Sequence, residues 1–421
     1  MSMKRSKLSR RRFLKGLIAA GAAIGSPAYA AKAPSVVPAS AIGAGDRPAP
    51  SNRRTVGCVG VGGRGSGDMR GFLSFSEVQV ISVCDVVKAK REAAKSTVDN
   101  NYGNSDCTAV NDFREIVHRP DIDIAMIGTP DHWHALISIE AMKSGKDVFC
   151  EKPETLTVRE GRQMVEVARR YGRVFSGGSQ RVWEDYNWFH RMVQGGAIGD
   201  VQDVYVNCGG PSSICSLPEE PIPPGLDWDL WLGPAPWSPF NRGRLGFRPW
   251  RDYSGGGMTD WGAHGFGGAM FCCQLQNTGP VEVIPPGPEY PQLTYKFANG
   301  IRFHHTGGWG GILSIKGSKM EIPDRGGGGK RARGESAPNI NIPNYKGRGG
   351  LIGDFIHCVG TRERPFRDIE VAHRTVTVCH LGNIVYALGR AIKWDPVKEE
   401  IVGDAEASRW LDRPKRAPWR I

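Results

Sequence analysis

Between residues 54 and 180, short apolar runs alternate with longer stretches whose apolar positions recur at helical spacing. The runs "RRTVGCVGV", "EVQVISVCD", "DIDIAMIGTP", "KDVFC" and "RVFSG" are too short for helices and are bounded by turn residues, so they predict buried strands. Glu92 to Val98, Phe113 to Val117, Ala135 to Ser144 and Arg159 to Tyr171 predict the intervening helices. Strands that alternate with helices imply a parallel sheet with right-handed crossovers. Such sheets bind ligands at the carboxyl ends of their strands. Asp85, Thr129-Pro130, Glu151-Lys152-Pro153 and Gln180-Arg181 each follow a predicted strand, so they are expected to share one rim.

The first of these strands runs into a glycine cluster, in which Gly60, Gly62 and Gly65 occupy the three positions of G-x-G-x-x-G. The first glycine permits a tight turn, the second lets backbone approach a pyrophosphate, and the third lets helix pack on strand. The pattern is weak by itself in a chain with 56 glycines, but here it follows a strand and opens a helix. The second strand ends in Asp85, 25 residues after Gly60. A carboxylate there hydrogen-bonds adenine ribose hydroxyls and repels a 2′-phosphate, which favours NAD. Lys88 and Lys90 keep NADP open.

The second half is richer in strand signals. "LTYKFANGIRFHH" (293–305) places Asn299-Gly300 between two alternating runs, which predicts a hairpin with a two-residue turn. His304 and His305 fall on opposite faces of that strand, so at most one of them faces a pocket. Val371 to Ile392 is apolar at helical spacing and is expected to pack back on the body. Residues 324–350 are glycine-rich and basic, with the composition of a surface loop and the position for a lid. Tyr186, Trp188 and His190 fit a packed helix face, whereas Trp228, Trp231 and Trp237 divide between core and a platform for sugar rings.

The ends change the meaning of the charge. Ser9-Arg10-Arg11-Arg12-Phe13-Leu14-Lys15 matches the twin-arginine export pattern, Leu17 to Ile24 supplies an apolar run, and Ala28-Tyr29-Ala30 a cleavage site after Ala30. The run is too short for a permanent membrane anchor. Residues 1–30 hold seven basic side chains and no acid, so cleavage lowers the formal charge from +12 to +5. Nucleic-acid binding then loses its electrostatic basis. Residues 31–53 read as a linker rich in Ala, Pro and Ser. Cys58, Cys84 and Cys150 sit in strand-like runs as small hydrophobes, and no Cys/His spacing indicates a metal. Cys208 with Cys215, and Cys272 with Cys273, are the pairs placed for redox chemistry.

With "GVGGRG", "TPDHWH" and "EKP" in this order, the chain resembles the glucose–fructose oxidoreductase/inositol dehydrogenase (Gfo/Idh/MocA) family. "LDWDLWLGPAP", "GGGMTDWGAH" and the tail from Trp394 extend the resemblance to its secreted, sugar-directed branch. The resemblance implies an α/β chain: a Rossmann doubly wound parallel sheet over 54–180, then an α+β domain over 181–421 with an open, mainly antiparallel sheet. It implies that the exposed face of that sheet forms dimers or tetramers and so hides an apolar surface. It also implies that Lys152 stabilises the developing alkoxide, that His264 exchanges the hydroxyl proton, and that Asp260 holds substrate. Asp260 and His264 stand four apart, on one face of a helix. Gly60, Gly62, Gly65, Asp85, Thr129, Pro130, His134 and Glu151 are the expected cofactor contacts, and Gln180 and Arg181 the expected sugar contacts. The chain departs from the branch at Gly265 and Gly267, where relatives carry His and Asp, and at Glu154, where they carry Leu.

An exported dehydrogenase that released its reduced cofactor would stop, because the periplasm does not resupply it. The two signals agree if the dinucleotide is loaded before translocation, stays tightly bound and is restored within each cycle. One such cycle oxidises a sugar hydroxyl and later reduces another sugar. A second, as in family 109 glycosidases, oxidises a hydroxyl, eliminates the glycosidic bond, adds water and returns the hydride. A catalytically silent sugar-binding protein is the third reading, motivated by Gly265 and Gly267.

Overall fold

The computed structural model describes residues 48–308, 312–323 and 336–421. The expected signal peptide, most of the linker and the first part of the 324–350 loop lie outside the described residues. Among those described, two sheets carry the fold.

The first sheet contains β1 (Arg54–Val59), β2 (Val78–Cys84), β3 (Thr108–Val110), β4 (Ile124–Ile127), β5 (Asp147–Cys150) and β6 (Phe175–Gly177). Its order is β3-β2-β1-β4-β5-β6 and every pairing is parallel. Strands β4 and β5 are buried at every position, because helices cover both faces of a parallel sheet. The crossovers carry α1 (Gly63–Leu73), α2 (Lys88–Tyr102), α3 (Asp131–Lys143) and α4 (Val158–Arg170). Helix α3 begins at Asp131, not at Ala135 as the apolar spacing indicated. Pro130 is its N-cap and Asp131 places an acid in the first turn, where the helix dipole favours negative charge. A capping box between Thr157 and Glu160 starts α4.

The second sheet is ordered β12-β11-β7-β10-β9-β8-β13-β14 and is antiparallel except between β7 (Val201–Asn207) and β10 (Arg302–His305). The others are β8 (Glu282–Ile284), β9 (Leu293–Lys296), β11 (Ile312–Gly317), β12 (Glu321–Ile322), β13 (Ile392–Asp395) and β14 (Glu400–Ile401). Strands β9 and β10 form the expected hairpin, but Asn299-Gly300 are the third and fourth residues of its turn. The amide of Gly300 donates to Phe297 O at 3.0 Å, and that of Phe297 to Ile301 O at 2.9 Å. This is a three-residue loop whose last residue, Gly300 at φ 86°, takes the left-handed conformation.

One face of the second sheet (Val204, Val206, Leu293, Tyr295, Phe303) packs under α5 (Gly262–Cys272) and α7 (Ile369–Leu388). On the opposite face the β7–β10 centre is ionic, with Tyr205 and Ile284 beside it. Arg302 pairs with Asp203 at 2.7 Å, His304 reaches the same carboxylate at 3.0 Å, and the His304 ring stacks on Tyr205. The expected open apolar surface is therefore absent from these positions: alternation sends the ionic residues outward and the aliphatic ones toward the helices.

The C-terminal segment returns to the first sheet. Helix α6 (Gly350–Thr361) packs Phe355 edge-on against the touching rings of Phe72 and Phe149, with centroids 6.2 and 5.8 Å away. Helix α7, placed where apolar spacing indicated, docks on α4, and Arg162 bridges Glu370 at 2.9 Å and Glu399 at 2.6 Å. No described helix is long and apolar enough to cross a membrane.

Candidate active site

A cleft of ≈ 460 Å³ opens along the carboxyl ends of β1, β2, β4 and β5, where the sheet topology places ligands. Its lining includes Gly60, Gly62, Asp85, Thr129, Pro130, His134, Glu151, Lys152, Gln180, Arg181 and His264. The rim expected from strand ends is thus assembled, and His264 joins it from the second half of the chain. His304 and His305 lie elsewhere. His305 packs between Tyr386 and Cys208 O, and His304 faces the polar side of the second sheet.

The glycine turn is built for a close-lying ligand. Gly60 has φ 78°, and a Cβ there would stand 2.5 Å from the Thr129 amide nitrogen. A Cβ at Gly65 would stand 1.9 Å from Gly60 O, so the third glycine lets α1 sit against the turn. Gly62 caps α1 without a side-chain hydrogen bond, which leaves first-turn amides directed at the cleft. Asp85 accepts the amides of Val61 at 3.1 Å and Val87 at 2.9 Å, which fix its carboxylate in the cleft wall. Thr129 Oγ1 is buried there without a partner. An uncapped helix start, a fixed carboxylate and an orphaned hydroxyl fit the diphosphate, ribose and nicotinamide amide of a dinucleotide. Lys90 lines the cleft beside Gly62, and Arg64 bridges Asp68 at 2.9 Å and Glu151 at 3.0 Å. Burial and then Glu151 push Asp68 up to about 8, against the pull of Arg64.

His134 lines the cleft, but both of its ring nitrogens face main-chain carbonyls: Pro153 O at 2.7 Å and Thr129 O at 2.8 Å. It therefore ties the Lys152-Pro153 turn to the Thr129 corner and has no ring nitrogen left for a ligand. His132 contacts Trp231 O, and burial lowers it to about 4. Trp133 walls the cleft with its indole donating to Leu230 O. Tyr186 and His190 are packed, Trp228 stacks on Trp231, and Trp237 is 68% exposed.

The polar centre is an ionic chain. Lys152 Nζ meets Asp260 Oδ1 at 2.5 Å and Asp260 O at 3.0 Å, and Arg248 Nε reaches the same Oδ1 at 3.0 Å. Burial alone would raise Asp260, but Lys152 and Arg248 outweigh it and hold its carboxyl below the usual range. The helix carrying Asp260 and His264 breaks at Trp261, into Gly257–Asp260 and α5, yet both side chains reach the cleft region.

His264 is buried, and its Nδ1 lies 2.7 Å from Ser179 Oγ. Ser179 Oγ also lies 3.3 Å from Ala263 O; when its hydroxyl donates there, Nδ1 carries the imidazole hydrogen and Nε2 is the free base. Burial, then Lys152 and Arg181, keep the imidazole well below its usual pKa, so it is neutral.

Sequence reading missed Ser179, Arg248, Asp131 and Ser254. Asp131 lies inside the quoted "TPDHWH", and Ser179 directly before Gln180. Arg248 and Ser254 come from an irregular stretch with no periodic pattern, which offered no signal.

Comparison with known proteins identifies the family and the fold. Residues 54–179 match "Oxidoreductase family, NAD-binding Rossmann fold" and residues 212–421 match "Oxidoreductase family, C-terminal alpha/beta domain". A glycosyl hydrolase family 109 protein of Shewanella sp. (strain MR-4) is 37% identical over 171 residues, 39% of this chain and 37% of that protein. An alpha-N-acetylgalactosaminidase of Shewanella oneidensis is 36% identical over 178 residues, again 39% of this chain and 37% of its own length. The chain thus spans well under half the length of the curated relatives it matches. In fold it is similar to myo-inositol 2-dehydrogenase from Lactobacillus plantarum, with TM-score 0.58 and 16% identity over 81% of this chain and 99% of that one. The chain belongs to the Gfo/Idh/MocA oxidoreductase family.

Proposed function

We propose that the protein oxidises a hydroxyl of a sugar or sugar derivative, using a nicotinamide dinucleotide held in the cleft throughout the catalytic cycle. The observation that carries this reading is the meeting of Lys152, Asp260 and neutral His264 at the strand-end cleft. The glycine turn, Asp85 and Thr129 would hold the dinucleotide, which when bound supplies the hydride acceptor. His264 Nε2, unprotonated, takes the hydroxyl proton. The Lys152 ammonium stabilises negative charge growing on that oxygen, and Asp260 fixes the ammonium in place. Gln180 and Arg181 line the side from which a sugar enters. Asp85 favours NAD over NADP, although Lys90 is close enough to the turn to meet a phosphate.

A second reading, redox-neutral glycoside cleavage, is favoured by the similarity to family 109 glycosidases. It shares the hydride step and ends with the same dinucleotide state it began with. Either cycle suits export through the twin-arginine route with cofactor already bound, the role we assign to the pattern at residues 9–15. The test is incubation of freshly isolated protein with a panel of sugars and aryl glycosides, no dinucleotide added. Turnover lost in Lys152→Ala with nucleotide still bound supports the reading. Bound nucleotide that no sugar or glycoside reduces contradicts it.

A further inference from the structure

Oxidising a hydroxyl uses one proton acceptor, and His264 fills that role. Cleaving a glycosidic bond beside the new ketone requires a second group, able to take a proton from carbon and later return it. Asp131 is the first residue of α3 and lines the same cleft as Lys152, Arg248 and His264. Its carboxylate accepts no first-turn amide among the described residues. Its Oδ2 accepts the Ser254 hydroxyl at 2.6 Å, and Ser254 Oγ is itself fixed by the Gly256 amide at 3.2 Å. Its Oδ1 has no hydrogen-bond partner among the described residues, and Asp131, 3% exposed, lines the cleft. Among the described residues no cation pairs directly with this carboxyl, in contrast to Asp260.

We propose that Asp131 is a second acid–base residue of this site, taking the proton from the carbon beside the oxidised hydroxyl; this rests on the glycoside-cleaving form of the proposed function. In the step, Asp131 Oδ1 forms a bond to hydrogen. The electron pair of the broken C–H bond becomes a C=C bond to the next carbon, and that carbon's bond to the leaving oxygen breaks. The leaving oxygen takes a proton from water. A water hydroxyl then adds to the carbon that lost it, and Asp131 returns its proton to the neighbouring carbon. The hydride taken from substrate then returns to the ketone carbon and His264 returns its proton to the oxygen, so no outside oxidant or reductant enters the balance.

The surroundings suit this use. Burial pushes Asp131 up to about 7; Ser254, Arg248 and Lys152 pull it down and Asp260 pushes it up. A carboxyl balanced near neutrality both accepts and gives back a proton.

The experiment compares wild-type holo-protein with Asp131→Asn on an aryl glycoside in deuterium oxide. It reads reduction of the bound nucleotide, deuterium entering the carbon beside the oxidised position, and release of the aryl alcohol. The variant should still reduce its nucleotide, which also reports that it folds, while exchange and alcohol release both fall by roughly 100-fold or more. Exchange and release at wild-type rates in Asp131→Asn would overturn the assignment. So would a wild type that reduces its nucleotide yet neither exchanges nor cleaves, an outcome that leaves the hydride step standing. A wild type that fails to reduce its nucleotide with any glycoside overturns the underlying reading and the assignment with it.

Discussion

Lys152 and Asp260, 108 residues apart in the chain, meet at 2.5 Å inside a cleft that leaves only 13% and 10% of their side chains exposed. A pair so enclosed is costly to desolvate, and removing one partner leaves an uncompensated charge. The arrangement therefore points to chemistry, since a well-packed apolar pair would stabilise the fold as well. Lys152→Ala is expected to lower nucleotide reduction by sugar ~100- to 1,000-fold, the usual scale for losing a group aimed at developing oxyanion charge. Asp260→Asn should lower it less, because the ammonium remains but loses its anchor. Rapid-mixing absorbance of the bound nicotinamide checks both. Equal rates in Lys152→Ala and wild type would contradict the assignment.

The glycine turn makes a separate forecast. A Cβ at Gly65 would stand 1.9 Å from Gly60 O, a main-chain atom that cannot swing aside. Gly65→Ala should force α1 off the turn and lower nucleotide retention sharply, as read by the nucleotide released on denaturation. Gly67→Ala, where a Cβ meets nothing within 4 Å, should leave it unchanged.

His264 gives a pH dependence of defined sign. Burial, followed by Lys152 and Arg181, holds its folded pKa well below the ordinary value. In the unfolded chain it titrates near ~6.5. Below that pH the unfolded chain gains a proton that the folded chain refuses, so stability present above ~6.5 is lost as pH falls toward the folded pKa. Denaturant titrations between neutral and mildly acidic pH should show a shallower loss in His264→Gln than in wild type. His132, lowered to about 4 by burial, contributes the same slope and is untouched by that variant.

Glu154 and Gly267, two positions read from the sequence as departures from the family pattern, both lie near one guanidinium. Arg367 is 1% exposed and Glu154 fully buried, and each is the other's foremost opposite charge. A Cβ at Gly267 would stand 3.7 Å from Arg367 Nη2. An acid at either position can thus face the same cation. Among the described residues Glu154 and Arg367 make no direct ion pair and both Glu154 oxygens lack a hydrogen-bond partner, so Glu154→Leu should destabilise the fold by less than the ~3–5 kcal/mol of breaking a paired buried charge. Adding Gly267→Asp should recover part of that loss, limited by Val182 Cγ2 at 3.0 Å from the new Cβ. Thermal unfolding of the two variants checks it, and a neutral Glu154→Leu would contradict it.

The strand-end rim was legible because burial on both faces writes strands β1, β4 and β5 as continuous apolar runs. Periodicity states that a segment is buried but not against what. The packing of Phe355 from α6 against Phe72 and Phe149 beside the first sheet therefore had no local sign. The hairpin's Asn299-Gly300 was read as the turn's centre, although a left-handed glycine also closes the three-residue loop found here. Asp260 and His264 were recognisable from their motif, whereas Arg248 enters from a stretch without secondary structure and is identified only by its 3.0 Å contact with Asp260. His134 shows the converse. Its place in "TPDHWH" indicated a ligand contact, and its two ring nitrogens are taken by carbonyls.

The most direct measurement is the mass of the nucleotide freed when protein taken from outside the inner membrane is denatured without prior exposure to added cofactor. The account predicts close to one NAD or NADH per chain, in protein that reduces and restores it on sugar alone. Protein with an empty cleft, active only when dinucleotide is supplied, would contradict it.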